Sequence, residues 1–207
     1  MGQAQSSSKQ RLVEAARGLF WEKGYEATSL QDVVQRASVK AGSLYYFFRT
    51  KEDLLLAVLD RYVGLLWPAV IEPAFARTSD PLERIFAILE GYRQGLIYTN
   101  FAQGCPIGNL ALEVSDEYPR AREKIAENFA NWRNWIRKCL EEAADLLPAN
   151  LDRGRMAIFV LTVMEGAVMQ SRAHHSLEPF DASMAELRDY FNRLLAEGAQ
   201  QRRPTVQ

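Results

Sequence analysis

The stretch VKAGSLYYFFRTKEDLL, Val39 to Leu55, decides how this chain is read. It places small residues, two tyrosines and spaced basic side chains on one short helix and the start of another. A helix buried in a core hides its aromatic residues, and a solvated helix rarely carries a run such as Tyr45 to Phe48. Helical spacing sorts that run into two faces. Leu44 and Phe48 point inward, toward Leu30 and Val34, while Tyr45 and Tyr46 point out.

Working outward, Leu12, Ala16, Leu19 and Phe20 line one face of a first helix that Gly24 ends. Thr28 or Ser29 caps a second helix with the apolar face Leu30, Val33, Val34 and Ala37. Ser38-Val39 is a short turn into the third helix. Lys51-Glu52-Asp53 opens a fourth, with Leu55, Val58, Leu59 and Tyr62 on its inner side and Pro68 and Pro73 expected to kink or end it. Two short helices on a tight turn make a helix-turn-helix, whose second helix enters a major groove. Ala41, Gly42 and Ser43 are small enough to let its backbone approach the bases. Lys40 and Ser43 reach base edges or phosphates. Tyr45 and Tyr46 offer a ring for a thymine methyl or a sugar and a hydroxyl for a phosphate. Thr28 and Ser29 at the start of the second helix, and Lys51 at the start of the fourth, are expected to clamp phosphates on either side. Spacing alone also admits a plain three-helix cap with half-buried tyrosines and solvated lysines.

The 207 residues are 48% hydrophobic and 25% charged, which is enough to bury a substantial core and excludes a disordered chain. Net charge is −1, but it is unevenly spread. Residues 1–51 carry eight basic and four acidic side chains, and the rest carries 17 and 22. A basic first quarter on an acidic body is the asymmetry expected if only that quarter meets phosphate. The longest apolar run, near Met156–Met164, stops at Glu165, short of the roughly 20 residues of a membrane span. The N-terminus shows no signal core, and the Gly2…Ser6 match to an acylation pattern is read as coincidence. Cys105 and Cys139 form neither a disulfide framework nor a metal-ligand spacing. A cytoplasmic protein is expected.

Beyond the fourth helix, helical periodicity continues without a strand signal. Asp80-Pro81, Gly104-Cys105-Pro106, Tyr118-Pro119, Pro148-Ala149-Asn150 and Pro179-Phe180-Asp181 mark the breaks. The expectation is an all-α, nine-helix, two-domain protein. Residues 8–53 form the helix-turn-helix domain, 54–199 a ligand-binding and dimerisation domain, and 200–207 a frayed tail.

The segment Arg11–Val58 resembles the TetR family of transcriptional repressors. The resemblance rests on FWEKGYEATSL (Phe20–Leu30) followed by DVVQRASVKAGSLYYFFRTKEDLL (Asp32–Leu55). One departure is Phe47, where the family usually carries histidine, which puts a phosphate contact there in doubt. The resemblance implies a homodimer that sets its third helices in successive major grooves of a palindromic operator, with the last two helices forming a four-helix bundle with their symmetry mates. The segment from Arg155 to His175, apolar nearly all round, agrees with that, and Gly166 and Ala167 would let a partner helix come close. A buried central helix of a monomer would show the same periodicity.

The family builds an apolar effector pocket in its body, and the aromatic-rich middle of this chain would suit a flat or lipophilic molecule. The candidates are Trp67, Tyr92, Phe101, Phe129, Trp132 and Met164, with plain core packing as the alternative for most of them. Cys105 is the other candidate. At an N-cap ahead of Pro106, with the N–H groups of Ile107 and Gly108 turned back on the sulfur, a thiol is activated. The segment is also similar to family members that sense electrophiles or oxidants through a cysteine. Cys139 reads as inert core. His174-His175 diverge by about 100° on a helix and cannot grip one metal together. No metal or cofactor is expected, and the working function is an effector-released repressor without catalysis. The rivals are an α-helical enzyme using Cys105 as nucleophile with His174 or His175 as base, and a DNA-binding dimer with no effector.

Overall fold

The computed structural model describes residues 2–202. All of its regular structure is helical: α1 Gly2–Lys23, α2 Leu30–Ala37, α3 Ala41–Phe47, α4 Lys51–Arg77, α5 Pro81–Tyr98, α6 Pro106–Val114, α7 Pro119–Glu142, α8 Arg153–His174 and α9 Glu178–Gln201. The nine helices expected are the nine found among the described residues. The tail expected to fray lies, from residue 203 on, outside them.

Local chemistry accounts for most boundaries. Ser29 caps α2 through a capping box: its hydroxyl accepts from Asp32 N–H while the Asp32 carboxylate accepts from Ser29 N–H. Asp80 caps α5 ahead of Pro81, and Asp152 caps α8 through the Arg155 amide. Thr50 and Asp53 form a second reciprocal pair at the start of α4. Regular α-helix gives way at Leu66, immediately before Trp67-Pro68. The helix passes through a π turn, Trp67–Ile71, and continues to Arg77. The extra residue in that turn relieves the clash and the missing N–H that proline brings to a regular helix.

α4 is also 27 residues long and, by length and composition, apolar enough to cross a membrane. Its N-terminal part, up to Leu59, packs into a core. Leu54, Leu55, Val58 and Leu59 are fully buried, and at mid-length Asp60 and Arg61 are ion-paired to Lys124 and Glu14 at 2.8 and 2.5 Å.

By packing, the chain falls into two compact units. The first comprises residues up to Leu65 together with Gln103–Phe129, and the second Leu66–Ala102 together with Ala130 onward. The first unit's core joins Leu12, Ala16, Leu19 and Phe20 of α1 to Val33 and Ala37 of α2, Leu44 of α3, Phe48, the four α4 residues above, Leu110 and Val114 of α6, and Ala121 and Ile125 of α7. Leu30 and Val34 pack against it half-buried. The second unit buries Ile85, Ile88 and Leu89 of α5, Ile136 and Leu140 of α7, Val160 and Met164 of α8, and Phe180 and Phe191 of α9. Arg84–Glu142, Arg93–Asp181 and Arg188–Glu83 pairs at 2.6–2.7 Å border that core. Burying the larger apolar side chains at about 1.5–3 kcal/mol each dominates both cores, and exposed ion pairs add little.

Candidate nucleic-acid interface

α2 ends at Ser38, whose left-handed backbone (φ 51°, ψ 49°) turns its N–H onto the Gln35 and Val34 carbonyls. Two residues later Lys40, in extended conformation, caps α3. That is the tight turn the sequence required. α3 then divides as its spacing demands. Leu44 and, at the C-cap, Phe48 are buried, while Tyr45 and Tyr46 are 61% and 71% exposed. Lys40, Ala41 and Gly42 are exposed and Ser43 half-buried. A Cβ added at Gly42 would meet nothing within 4 Å, so nothing inside the chain requires glycine there. Phe47, in place of the family's usual histidine, lies edge-on to Tyr46 at 4.9 Å and tilted to Phe48 at 6.5 Å. It props Tyr46 outward and has no polar atom for a phosphate.

The flanking contacts differ from expectation at one residue. Thr28 is buried, and its hydroxyl donates to the Gly24 carbonyl at 2.7 Å, so its side chain cannot clamp a phosphate. The hydroxyl satisfies the end of α1 instead. Ser29 is exposed at the N-terminus of α2. Lys51 lies with its ammonium 4.1 Å above the Tyr25 ring and donates to the Glu26 carbonyl at 3.3 Å, a tether that holds it beside the turn. Asp32 is held at a pKa of about 2, chiefly by Lys23 and then by Ser29. Asp53 is lowered chiefly by the Thr50 hydroxyl.

The signal that local reading missed comes from α6. Glu113 accepts the Tyr25 and Glu26 N–H groups at 2.9 and 2.8 Å, and Trp21 donates to the Gly104 carbonyl at 2.7 Å. Gly24 sits at φ +90°, and a Cβ there would meet the Glu113 carboxylate at 3.0 Å.

The candidate effector residues fall in both units. Cys105 and Phe129 belong to the first unit, and Trp67, Tyr92, Phe101, Trp132 and Met164 to the second. Trp67, 41% exposed, packs on Trp135 at 4.7 Å and Phe75 at 5.9 Å. Tyr92 meets Trp132 at 6.4 Å, edge-on. Trp132 is buried, with an indole N–H that has no hydrogen-bond partner among the described residues. Phe101 has a left-handed backbone and faces His175, the left-handed C-cap of α8, at 6.0 Å. Met164 is fully buried core. Cys105 is the N-cap of α6 and is buried; Gly108 N–H reaches its sulfur at 3.5 Å. Burial pushes the Cys139 thiol up to about 11, consistent with inert core. No group of three or more metal-ligating side chains occurs among the described residues.

On α8 and α9, Ile158, Phe159, Met169 and Tyr190 are exposed, and Phe159, Val163, Leu187, Tyr190 and Arg193 line a groove of about 490 Å³. A Cβ at Gly166 would meet nothing, whereas Ala167, expected at the same open face, is buried within its own chain.

Comparison with known proteins agrees with this geometry. Residues 12–58 match the family model for bacterial regulatory proteins of the tetR family, and residues 81–187 match the tetracyclin repressor-like C-terminal domain. An uncharacterized HTH-type transcriptional regulator of Mycobacterium tuberculosis is 33% identical over 193 residues, covering 91% of this chain and 95% of its own. The HTH-type transcriptional repressor DhaR of Mycobacterium sp. strain GP1 is 28% identical over 86% of this chain and 89% of its own. A TetR transcriptional regulator from Chloroflexus aurantiacus superposes with a TM-score of 0.79 at 25% identity, over 92% of this chain and 96% of its own. The reduced form of Escherichia coli NemR superposes at 0.76 and 23% identity, over 88% and 96%. With an open reading helix at one end and both family domains matched along its length, the chain belongs to the TetR family of helix-turn-helix transcriptional regulators.

Proposed function

We propose that the protein is a cytoplasmic, homodimeric repressor that binds a palindromic operator and is released by a small apolar, aromatic or thiol-reactive effector. Residues 8–53 read the DNA, and 54–199 receive the effector and pair the subunits. One observation carries the DNA-binding reading: among the described residues the outer face of α3 is uncovered, with Gly42 open and both tyrosines exposed. Residues 41–47, AGSLYYF, supply a methyl, a hydroxyl and two phenols but no guanidinium or carboxamide. Base discrimination then leans on thymine methyl groups, which such side chains read, more than on bidentate contacts to guanine or adenine. Lys40, Arg49 and Lys51 supply the phosphate contacts; none has an ion-pair partner among the described residues.

The second copy docks on α8 and α9, where Ile158, Phe159, Met169 and Tyr190 are exposed. Successive major grooves of a palindrome require the two α3 helices to stand about 34–36 Å apart, one helical turn of DNA. For the effector, the unpartnered indole N–H of Trp132 favours a molecule carrying a hydrogen-bond acceptor, because a buried unmet donor costs about 1–3 kcal/mol. A ligand beside Trp67 would tilt α4, which carries the chain from the reading unit into the second, and so lower operator affinity. Cys105 supports the thiol-reactive variant through its N-cap position. TetR-family members are typically non-enzymatic, and the reading of Cys105 as a catalytic nucleophile gains nothing from them.

The test selects bound fragments from genomic DNA, then repeats a gel shift with and without an alkylating agent. A specific shift abolished by alkylation and preserved in Cys105→Ser supports the thiol reading. A shift indifferent to alkylation assigns control to a non-covalent ligand. No shift on any fragment refutes the repressor. Replacing thymine by uracil in the selected half-site should weaken binding about tenfold per lost methyl contact pair.

A further inference from the structure

We propose that Glu113 is a positioning residue for the DNA-reading unit, coupling α6 to Lys51 and to the entry of α2 through the turn Gly24-Tyr25-Glu26. The proposal rests on the DNA-binding reading above. The turn after α1 exposes two backbone N–H groups, those of Tyr25 and Glu26, that the flanking helices leave unmet, and one carboxylate from 88 residues away takes both, at 2.9 and 2.8 Å. The Glu26 peptide is thereby gripped on both sides. Its N–H is held by Glu113, and the Glu26 carbonyl accepts from the Lys51 ammonium at 3.3 Å. The adjoining Tyr25 ring carries the same ammonium at 4.1 Å and packs edge-on against Tyr118 at 5.3 Å. The Tyr118 hydroxyl in turn donates to the Glu26 carboxylate at 3.3 Å. Gly24 is built for this approach. Its φ of +90° makes the turn, and its missing Cβ leaves the space the carboxylate enters.

The consequence is directional. Two short hydrogen bonds that share one carboxylate are sensitive to translation. A shift of α6 by about 1 Å carries both beyond hydrogen-bond range. Such a shift frees the turn, and with it both the platform under Lys51 and the Ser29 cap of α2. The reading helix loses its fixed register while keeping its cations. Glu113 therefore governs selectivity for an operator and leaves general attraction to DNA alone.

The test uses the full chain and the duplex selected by the wild-type protein, with a random-sequence duplex of equal length beside it. Glu113→Ala should speed hydrogen exchange at the Tyr25 and Glu26 amides and lower operator affinity about tenfold, with random-duplex affinity unchanged. Glu113→Gln, which keeps one acceptor, should fall between. Leu112→Ala, an exposed neighbour on α6, should behave as wild type. Faster exchange with undiminished operator affinity overturns the proposal, as does an equal loss on both duplexes with a lower thermal midpoint, which would mark Glu113 as merely structural. A wild-type chain that selected no duplex would sink the DNA-binding reading itself. That failure is distinguishable, because amide exchange would still report whether the clamp exists.

Discussion

Gly42 offers a test in which stability and function should move in opposite directions. Glycine near the start of a helix costs conformational entropy, and a Cβ added there meets nothing within 4 Å. Gly42→Ala should therefore stabilise the folded chain by about 0.5–1 kcal/mol from helix propensity alone. For a protein of this size that is a rise in Tm of about 1–4 °C, readable by circular dichroism. Gly42→Leu adds three more carbons to the same open space and should leave Tm within about 2 °C of wild type. On DNA the two variants should part. If α3 lies in a major groove with its backbone near the bases, the alanine methyl is tolerated with a loss of a few-fold. The leucine lifts the helix and forfeits one or two base contacts worth about 1–3 kcal/mol each. Fluorescence anisotropy on the selected duplex should then show a loss of about 10- to 1,000-fold for Gly42→Leu in the wild-type buffer. A leucine variant that binds its operator like wild type would refute insertion of α3. An alanine variant that melts well below wild type would refute the open face itself.

Gly198 should behave in the opposite way. A Cβ there would collide with the Leu146 carbonyl oxygen and the Leu147 carbonyl carbon, backbone atoms that cannot swing aside. Gly198→Ala should lower stability by about 1–3 kcal/mol in a denaturant titration despite its better helix propensity. Asp32, held by Lys23 and then by the Ser29 capping box, gives a pH dependence with a definite sign. Asp32, depressed in the fold to about 2, contributes stability present above its ordinary value near 3.8 and lost as pH falls through about 2. In thermal melts across that window, wild type should lose ground relative to Asp32→Asn, and parallel curves would contradict the assignment. Lys51→Ala should lower the slope of log affinity against log salt by about one unit per bound head. An unchanged slope would remove Lys51 from the phosphate contacts.

The reading head was largely legible in the sequence because its logic is local. Helical spacing alone assigned Leu44 and Phe48 to the core and Tyr45 and Tyr46 to solvent, and the Ser29…Asp32 pair sits at the spacing of a capping box. Thr28 was misjudged because two adjacent hydroxyl residues fit a cap equally well. The choice between them fell to the Gly24 carbonyl, which the fold delivers to Thr28. Pro68 and Pro73 point to a kink or an end; that the chain goes on to Arg77 through a π turn, Trp67–Ile71, has no signal in helical spacing. Glu113 was invisible for a stronger reason. Its partners lie 87 and 88 residues away, and a lone glutamate near the end of a short helix carries no periodic or motif signal. The effector residues stayed diffuse for a related reason: an aromatic side chain that fills a core and one that meets a ligand look alike in a sequence.

Charge shows how the fold can sharpen what a sequence only averages. Of the eight basic residues in the first 51, Arg17, Lys23 and Arg36 are paired with Glu14, Asp32 and Glu22 at 2.7–2.8 Å. Those pairs engage three of the four acidic residues in the segment. The basic residues left over are Lys9, Arg11, Lys40, Arg49 and Lys51, and they are not scattered. Lys9 lies over the Phe48 ring at the C-cap of α3, and Arg11 donates to the Ser38 carbonyl in the turn between α2 and α3. Lys40 caps α3, Arg49 follows it, and Lys51 is tethered to the Glu26 carbonyl. Pairing leaves the net charge of the segment unchanged but collects the unpaired cations around the helix-turn-helix. At a physiological Debye length of about 8 Å, that placement decides what a phosphate meets. A chain whose overall charge is −1 thus presents a locally cationic face where Tyr45 and Tyr46 stand exposed. The same pairing predicts which substitutions matter electrostatically. Neutralising Arg36 frees the Glu22 carboxylate and leaves the unpaired cations in place, whereas neutralising Arg49 removes one of them outright. The salt dependence of duplex binding should therefore respond to Arg49→Ala and hardly at all to Arg36→Ala. Equal responses from the two would show that the cations act as an undivided cloud and that the ion pairs do not sort them.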